Sequence, residues 1–232
     1  MNIKYSAVSH CGKLRKENQD RIFLSGTDDS DRCLREEIGS LQTTAFSAAV
    51  FDGMGGELCG GAAAEIAVRT AQKKENMPLI LLCREINQNI CRYMEQYHIS
   101  SMGTTAVIVR IRDNAACCCN LGDSRAYHFS RGKMQRISVD HTTNFGKKRV
   151  LTQYLGIPET EIVIEPSVRK ITLEKNEKLL LCSDGLTDMV SEDEIAGLLN
   201  AHKTEDAAKE LFRAAMENGG KDNISIIVFE VV

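Results

Sequence analysis

Apolar and polar positions alternate loosely over residues 2–9, which predicts a first strand, and a polar, charged turn follows from Lys13 to Asp20. Arg21 to Leu24 reads as a short second strand, residues 26–40 as a polar, acidic, solvated loop, and Thr43 to Phe51 as a third strand. That strand runs into Asp52-Gly53-Met54-Gly55-Gly56, an acid followed by a glycine-dense turn, before helical patterning begins. Helices are predicted over about 60–75 and, after Pro78, about 79–97, where Ile80, Leu81, Ile86, Ile90 and Tyr93 or Met94 recur at helical spacing. A dense β region follows: Thr104 to Ile111, Ala115 to Leu121, Arg125 to Phe129 and Met134 to Val139, separated by the short turns Asp113-Asn114, Gly122-Asp123-Ser124 and Arg131-Gly132-Lys133. Strands spaced so closely imply antiparallel hairpins. Residues 140–170 are polar; within them Lys147 to Leu155 reads as one helical stretch closed by Gly156 and Pro158. Lys178 to Cys182 predicts a strand, Glu192 to Asn200 and Glu205 to Glu217 predict helices, and Ile224 to Val231 a last strand. No repeat, linker or low-complexity segment interrupts the pattern. Strands at both ends with two helix pairs between predict one α+β domain over residues 1–232, in which two antiparallel sheets pack together with helices outside.

Composition narrows the function classes. At 232 residues and 43% hydrophobic content the chain can build a substantial core. A net charge of -3 argues against a nucleic-acid footprint. No apolar run is long enough to span a bilayer, and Met1-Asn2-Ile3-Lys4-Tyr5-Ser6 lacks the apolar core of a signal peptide, so a cytoplasmic protein without a membrane partner is expected. The nine cysteines are odd in number and form no Cys-x-x-Cys pair, which favours reduced, structural thiols over disulfides or zinc.

The candidate chemistry lies in acids at turns. Asp20 and Asp222 precede strands, Asp52 and Asp184 end them, and Asp123 sits in a hairpin turn, each beside Gly, Asn or Ser. Such acids are ordinarily turn formers. A sandwich, however, gathers strand ends at one rim, where clustered carboxylates repel one another until a cation neutralises them. Oxygen-only ligation selects hard ions, Mg²⁺ or Mn²⁺, over zinc.

Arg15-x-x-Asn18-Gln19-Asp20, Asp52-Gly53-Met54-Gly55-Gly56, Gly103-Thr104-Thr105, Gly122-Asp123-Ser124-Arg125, Ser183-Asp184-Gly185-Leu186-x-Asp188 and Asp222-Asn223 stand in this order along nearly the whole chain. Together they resemble the metal-dependent Ser/Thr protein phosphatases, the PPM or type 2C family, in its compact bacterial form. The resemblance implies an αββα sandwich, a central antiparallel β-sandwich flanked on both sides by helix pairs, with a two-metal centre at one end. It implies that Asp52 bridges both ions and that the Gly53 carbonyl is a further ligand. It also implies that Asp184 and Asp222 bind the first ion, and that Asp20 supports the second through water. Asp123, with Asp184 and Asp188, corresponds to a weaker third-ion site, and Arg15 to the phosphate-binding residue, whose planar fork suits a phosphoryl group. The implied reaction is hydrolysis of protein phosphoserine and phosphothreonine by a hydroxide held between two cations. The implied partners are phosphorylated proteins and an opposing bacterial Ser/Thr kinase; a monomer is expected.

Two positions depart from the family pattern. Met54 stands where animal members often carry a histidine offered as general acid; His141 is a remote substitute better read as structural. The segment from Thr143 to Lys178 is also short for the flap that bacterial members carry. The rival reading, a catalytically silent regulatory module that kept the fold, predicts loss of ligand acids, and all of them are present.

Overall fold

Alternation along the chain builds two sheets, and helical stripes cover each from outside. The computed structural model describes residues 1–26, 34–55, 59–113, 115–146 and 148–232. The elements in chain order are β1 (Asn2–His10), β2 (Arg21–Leu24), β3 (Leu34–Gln42), β4 (Ala45–Phe51), β5 (Gly53–Met54), α1 (Cys59–Lys73), α2 (Leu79–Tyr97), β6 (Gly103–Thr104), β7 (Ala106–Arg112) and β8 (Ala115–Leu121). They continue with β9 (Arg125–Ser130), β10 (Lys133–Arg136), β11 (Thr142–Phe145), β12 (Lys148–Leu151), β13 (Ser167–Thr172), β14 (Lys178–Cys182), α3 (Asp184–Thr187), α4 (Glu192–Ala201), α5 (Thr204–Glu217) and β15 (Ile224–Val231). One sheet has the order β10-β9-β14-β15-β1-β3 and the other β13-β8-β7-β4-β2; every pairing is antiparallel.

Three apolar layers hold the stack together. Ile3, Phe46, Val107, Leu181 and Phe229 meet between the sheets. Ala64, Val68, Leu82, Ile86 and Ile90 of α1 and α2 cover Phe51 and Ile108 of the second sheet. Ile195, Leu199, Ala208 and Leu211 of α4 and α5 cover Leu180 and Val228 of the first. The expected αββα sandwich is therefore the observed one. Among the described residues no helix is long and apolar enough to cross a membrane.

The register sets where chemistry can collect. His10, at the end of β1, faces Ile224 at the start of β15, and Cys182, near the end of β14, faces Arg125 at the start of β9. In the other sheet Arg21, opening β2, faces Phe51, closing β4, and Ala106, opening β7, faces Leu121, closing β8. All these ends share one rim, so the segments 11–20, 52–55, 122–124, 183–188 and 219–223 emerge side by side.

Two segments fold differently from expectation. Of the expected loop 26–40, residues 27–33 lie outside the described residues, but Leu34–Gln42 is a full edge strand on β1. Its residues from Glu36 alternate between exposed and half-buried, so a charged, polar composition serves as edge protection without abolishing the strand. The expected helix Lys147 to Leu155 is absent. Lys148–Leu151 instead forms β12, paired with β11 across a turn at Gly146, whose φ is +63°. Gly156 and Pro158 do not stop a helix there: Gly156 (φ +109°) packs against the Met102 carbonyl, and the Pro158 carbonyl accepts from Glu161 and Ile162.

Candidate metal and phosphate centre

The rim carries a cavity of about 590 Å³ lined by Arg15, Gln19, Asp52, Gly53, Asp184 and Asp222 among others. Its walls are fixed by backbone contacts. The Asp52 carbonyl accepts from the Thr105 N–H and the Thr104 hydroxyl, both at 2.9 Å, and the Asp52 N–H donates to Thr105 Oγ1 at 3.1 Å. A Cβ on Gly53 would lie 2.2 Å from the Gly60 carbonyl oxygen, so the turn after Asp52 and the start of α1 touch backbone to backbone.

The segment 11–20 is laid against 219–223 by one side chain. Asn223 Oδ1 accepts from the Gln19 N–H at 2.8 Å, and its Nδ2 donates to the Cys11 and Glu17 carbonyls at 3.1 and 2.9 Å. Lys13 N–H adds a bond to the Gly220 carbonyl at 2.7 Å. Below, Asn18 Nδ2 donates to Ser9 Oγ at 2.8 Å, and Ser9 shares a 2.9 Å hydroxyl bond with Ser225. This staple brings Arg15 over the cavity, where its Nη2 donates to Asp222 Oδ2 at 2.6 Å.

Each acid has a distinct environment. Asp20 is buried behind the cavity wall; Ser183 Oγ donates to its Oδ2 at 2.8 Å, and its buried Oδ1 lacks a hydrogen-bond partner among the described residues. Burial first, then the nearby Asp222, pushes its carboxyl up to about 6 against the Ser183 and Ser225 hydroxyls. Asp52 is raised well above the ordinary carboxylate range by burial and then by Asp20, Asp184, Asp123 and Asp222. Asp184, opening α3, is pushed up to about 7 by burial and then by Asp123, Asp188, Asp20 and Asp222. Asp188 is exposed one helical turn later, its N–H bonded to the Asp184 carbonyl at 2.8 Å. Asp123 is buried beyond the cavity lining and accepts from Arg149 Nη2 at 2.6 Å.

All the acids singled out in the sequence thus lie within one another's field. They do not close on a single point: among the described residues no three His, Cys, Asp or Glu side chains form a ready-made cage for an ion. Two of the carboxylates are turned to arginines, and the others repel. The donor set nonetheless fits hard divalent cations. Its groups are all oxygens, Asp20, Asp52 and Asp184 have no cationic partner among the described residues, and Asp20 presents a buried oxygen without a hydrogen-bond donor among them.

His141 is occupied elsewhere. Its Nδ1 accepts from the Gly122 N–H at 3.2 Å, which leaves Nε2–H to donate to Ser167 Oγ at 2.9 Å. Burial lowers its basicity. Its role is to hold the turn that carries Asp123, as the structural reading expected. No local pattern in the sequence marks Arg149, because what places it beside Asp123 is the pairing of β11 with β12. Asp222-Asn223 stands out in the sequence as a motif, but the bracing role of Asn223 depends on partners at the other end of the chain.

A family model described as protein phosphatase 2C matches residues 24–226. The serine/threonine phosphatase stp of Listeria innocua is 30% identical over 211 residues, covering 78% of this chain and 82% of that protein. The fold is that of a serine/threonine phosphatase of S. agalactiae, with a TM-score of 0.84 at 23% identity over 99% of this chain and all of the other. The catalytic domain of the phosphatase PstP, solved with two manganese ions, superposes with a TM-score of 0.79 at 24% identity over all of this chain and 99% of that one.

Proposed function

Because this chain belongs to the protein phosphatase 2C family, we propose that it hydrolyses phosphoserine and phosphothreonine on proteins at the rim cavity, with Mg²⁺ or Mn²⁺. The observation that carries this reading is the set of acids with raised pKa around a cavity that an arginine also enters. Asp52 would serve both core ions, with the Gly53 carbonyl beside it; Asp184 and Asp222 would hold the first, and Asp20 would support the second. When bound, such cations supply Lewis acidity and an activated water for attack on phosphorus. Arg15 lines the cavity beside Asp222, and its fork can grip two phosphoryl oxygens, holding the ester in line and stabilising charge that develops on them. Asn223 and Ser9 keep that arm in place. The buried Thr104-Thr105 pair fixes the Asp52 backbone, so the carboxylate points into the cavity without reorganisation. With His141 engaged at both nitrogens and Met54 without a proton to give, protonation of the leaving serine or threonine oxygen falls to water.

Residues 1–232 act in this reading as a single catalytic domain, since the acids come from both sheets and would not assemble from either alone. We place it in the cytoplasm, as a monomer opposing a Ser/Thr kinase. Phosphate release from a phosphothreonine peptide tests the proposal. Activity should require Mn²⁺ or Mg²⁺, vanish in EDTA, and fall by roughly a hundredfold or more in Asp52→Asn. Full turnover in EDTA would sink it.

A further inference from the structure

The β11–β12 hairpin stands at the side of the centre, and nearly all its side chains are exposed, Phe145 at 81%. At its base the His141 N–H bonds the Gly122 carbonyl and the Thr152 N–H bonds the His141 carbonyl, both at 2.9 Å. Beyond the base, among the described residues, one side-chain hydrogen bond ties either strand to the rest of the molecule. It is the 2.6 Å bond from Arg149 Nη2 to Asp123 Oδ2. Asp123 is the sheltered partner, with 11% of its side chain exposed, against 36% of the Arg149 side chain. Asp140 and Asp188 add to the negative field around the guanidinium.

We propose that Arg149 is the built-in counter-ion of Asp123, that it latches the hairpin against the centre, and that a divalent cation reaches Asp123 only by displacing it. The inference rests on the metal reading above. A guanidinium and a hard cation cannot both take Asp123 Oδ2, and the arginine is already in the chain, at an effective concentration that a free ion must outcompete. Core ions on Asp52, Asp184, Asp222 and Asp20 would meet a different guanidinium, that of Arg15 on Asp222, which lies outside the hairpin, so they would bind with the hairpin down. An ion on the outer side, among Asp123, Asp184 and Asp188, lifts it. Hairpin position is therefore tied to cation concentration through one residue.

Hydrogen exchange of the whole chain in EDTA reads the latch without any metal. Amides of residues 142–151 should exchange about tenfold faster in Arg149→Gln and in Asp123→Asn, and no faster still in the double variant. Unchanged exchange in Arg149→Gln, or additive effects in the double variant, would overturn the latch. Calorimetric titration with Mn²⁺ reads the competition. The parent chain should take two ions over a range in which Arg149→Gln takes three, and Arg149→Lys, which keeps the charge, should stay nearer two. Equal stoichiometry with ordinary binding in all three would overturn the competition alone. No Mn²⁺ binding in any of them would overturn the metal reading, while the EDTA exchange would still decide the latch. Circular dichroism melting of each variant checks that the fold is retained.

Discussion

A methyl group on Gly53 would sit 2.2 Å from the Gly60 carbonyl oxygen, and one on Gly60 would sit 2.6 Å from the Gly53 carbonyl carbon. Neither neighbour is a side chain that can swing away. Gly53→Ala should therefore cost about 1–3 kcal/mol, measured by urea unfolding in EDTA so that metal binding does not contribute; a cost indistinguishable from zero would show that the turn yields. The acids set a second expectation. Asp20 and Asp184, pushed up to about 6 and about 7 from an ordinary 3.8, and Asp52, raised well above that ordinary value by burial, bind more protons folded than unfolded across that interval. Stability of the metal-free chain therefore falls as pH rises from about 4 through 7, because the unfolded state gives up these protons first. Below the unfolded value both states are protonated and the penalty is gone. In EDTA the melting temperature should drop between about pH 4 and pH 7. Asp184→Asn should make the drop smaller, and saturating Mn²⁺ should oppose it. An Asp184→Asn profile as steep as the parent's would show that the slope comes from other groups.

Helix α2 is where an element is tied to the rim through one side chain. Asn87 is 1% exposed; its Oδ1 accepts from the Gly156 and Ile157 N–H groups at 2.7 and 3.1 Å, and its Nδ2 donates to the Ile157 carbonyl at 2.9 Å. Leu155, just before, exchanges two 2.9 Å backbone bonds with Thr104, which holds the Asp52 turn. Asn87→Ala should destabilise by about 1–3 kcal/mol through the groups left without partners, and equilibrium unfolding would refute this if it found the loss of an exposed residue. The same neighbourhood shows what the sequence could and could not tell. Helix α2 was legible to the residue because Pro78 marks its start and Ile86, Ile90 and Met94 repeat along one face. β8 was legible because an apolar run lies between two turn signals. β3 was not, since Glu36 and Glu37 on an edge strand look like a solvated loop. Lys148–Leu151 was misread because four residues cannot declare a period, and because Gly156 and Pro158, which look like helix stops, answer to Asn87 and a following turn. The acids could be placed at turns from their local contexts, while their roles were expected only from the family resemblance; that Asp123 faces Arg149 depends on a strand pairing that no local pattern records.

At the scale of the molecule, thiols and topology both carry consequences. Cys11, Cys59, Cys83, Cys91, Cys117, Cys118, Cys119 and Cys182 are free, and Cys33 lies outside the described residues. Cys83 and Cys119 approach to 3.7 Å between sulfurs in the layer between α2 and the sheet, a contact of thiols and not a bond. Burial pushes Cys182 up to about 12 and raises Cys118, so these sulfurs stay protonated and slow to react. Thiol titration of protein denatured without oxidation should find all nine, with Cys83, Cys118, Cys119 and Cys182 unreactive in the native chain; a robust disulfide would contradict both expectations. The order β10-β9-β14-β15-β1-β3 has one more implication. Without β15 the sheet separates into β10-β9-β14 and β1-β3, with no hydrogen-bonded strand between the two. The residues at the head of that strand, Asp222, Asn223 and Ser225, also hold Arg15, the segment 11–19 and Ser9. On the ribosome, then, the centre cannot come together while residues 222–231 remain in the exit tunnel, however much of the preceding chain has already collapsed. Until that strand is free to pair, the rim lacks Asp222 and the anchor of Arg15, and it is completed in one step, when β15 slots between the two halves that were waiting for it.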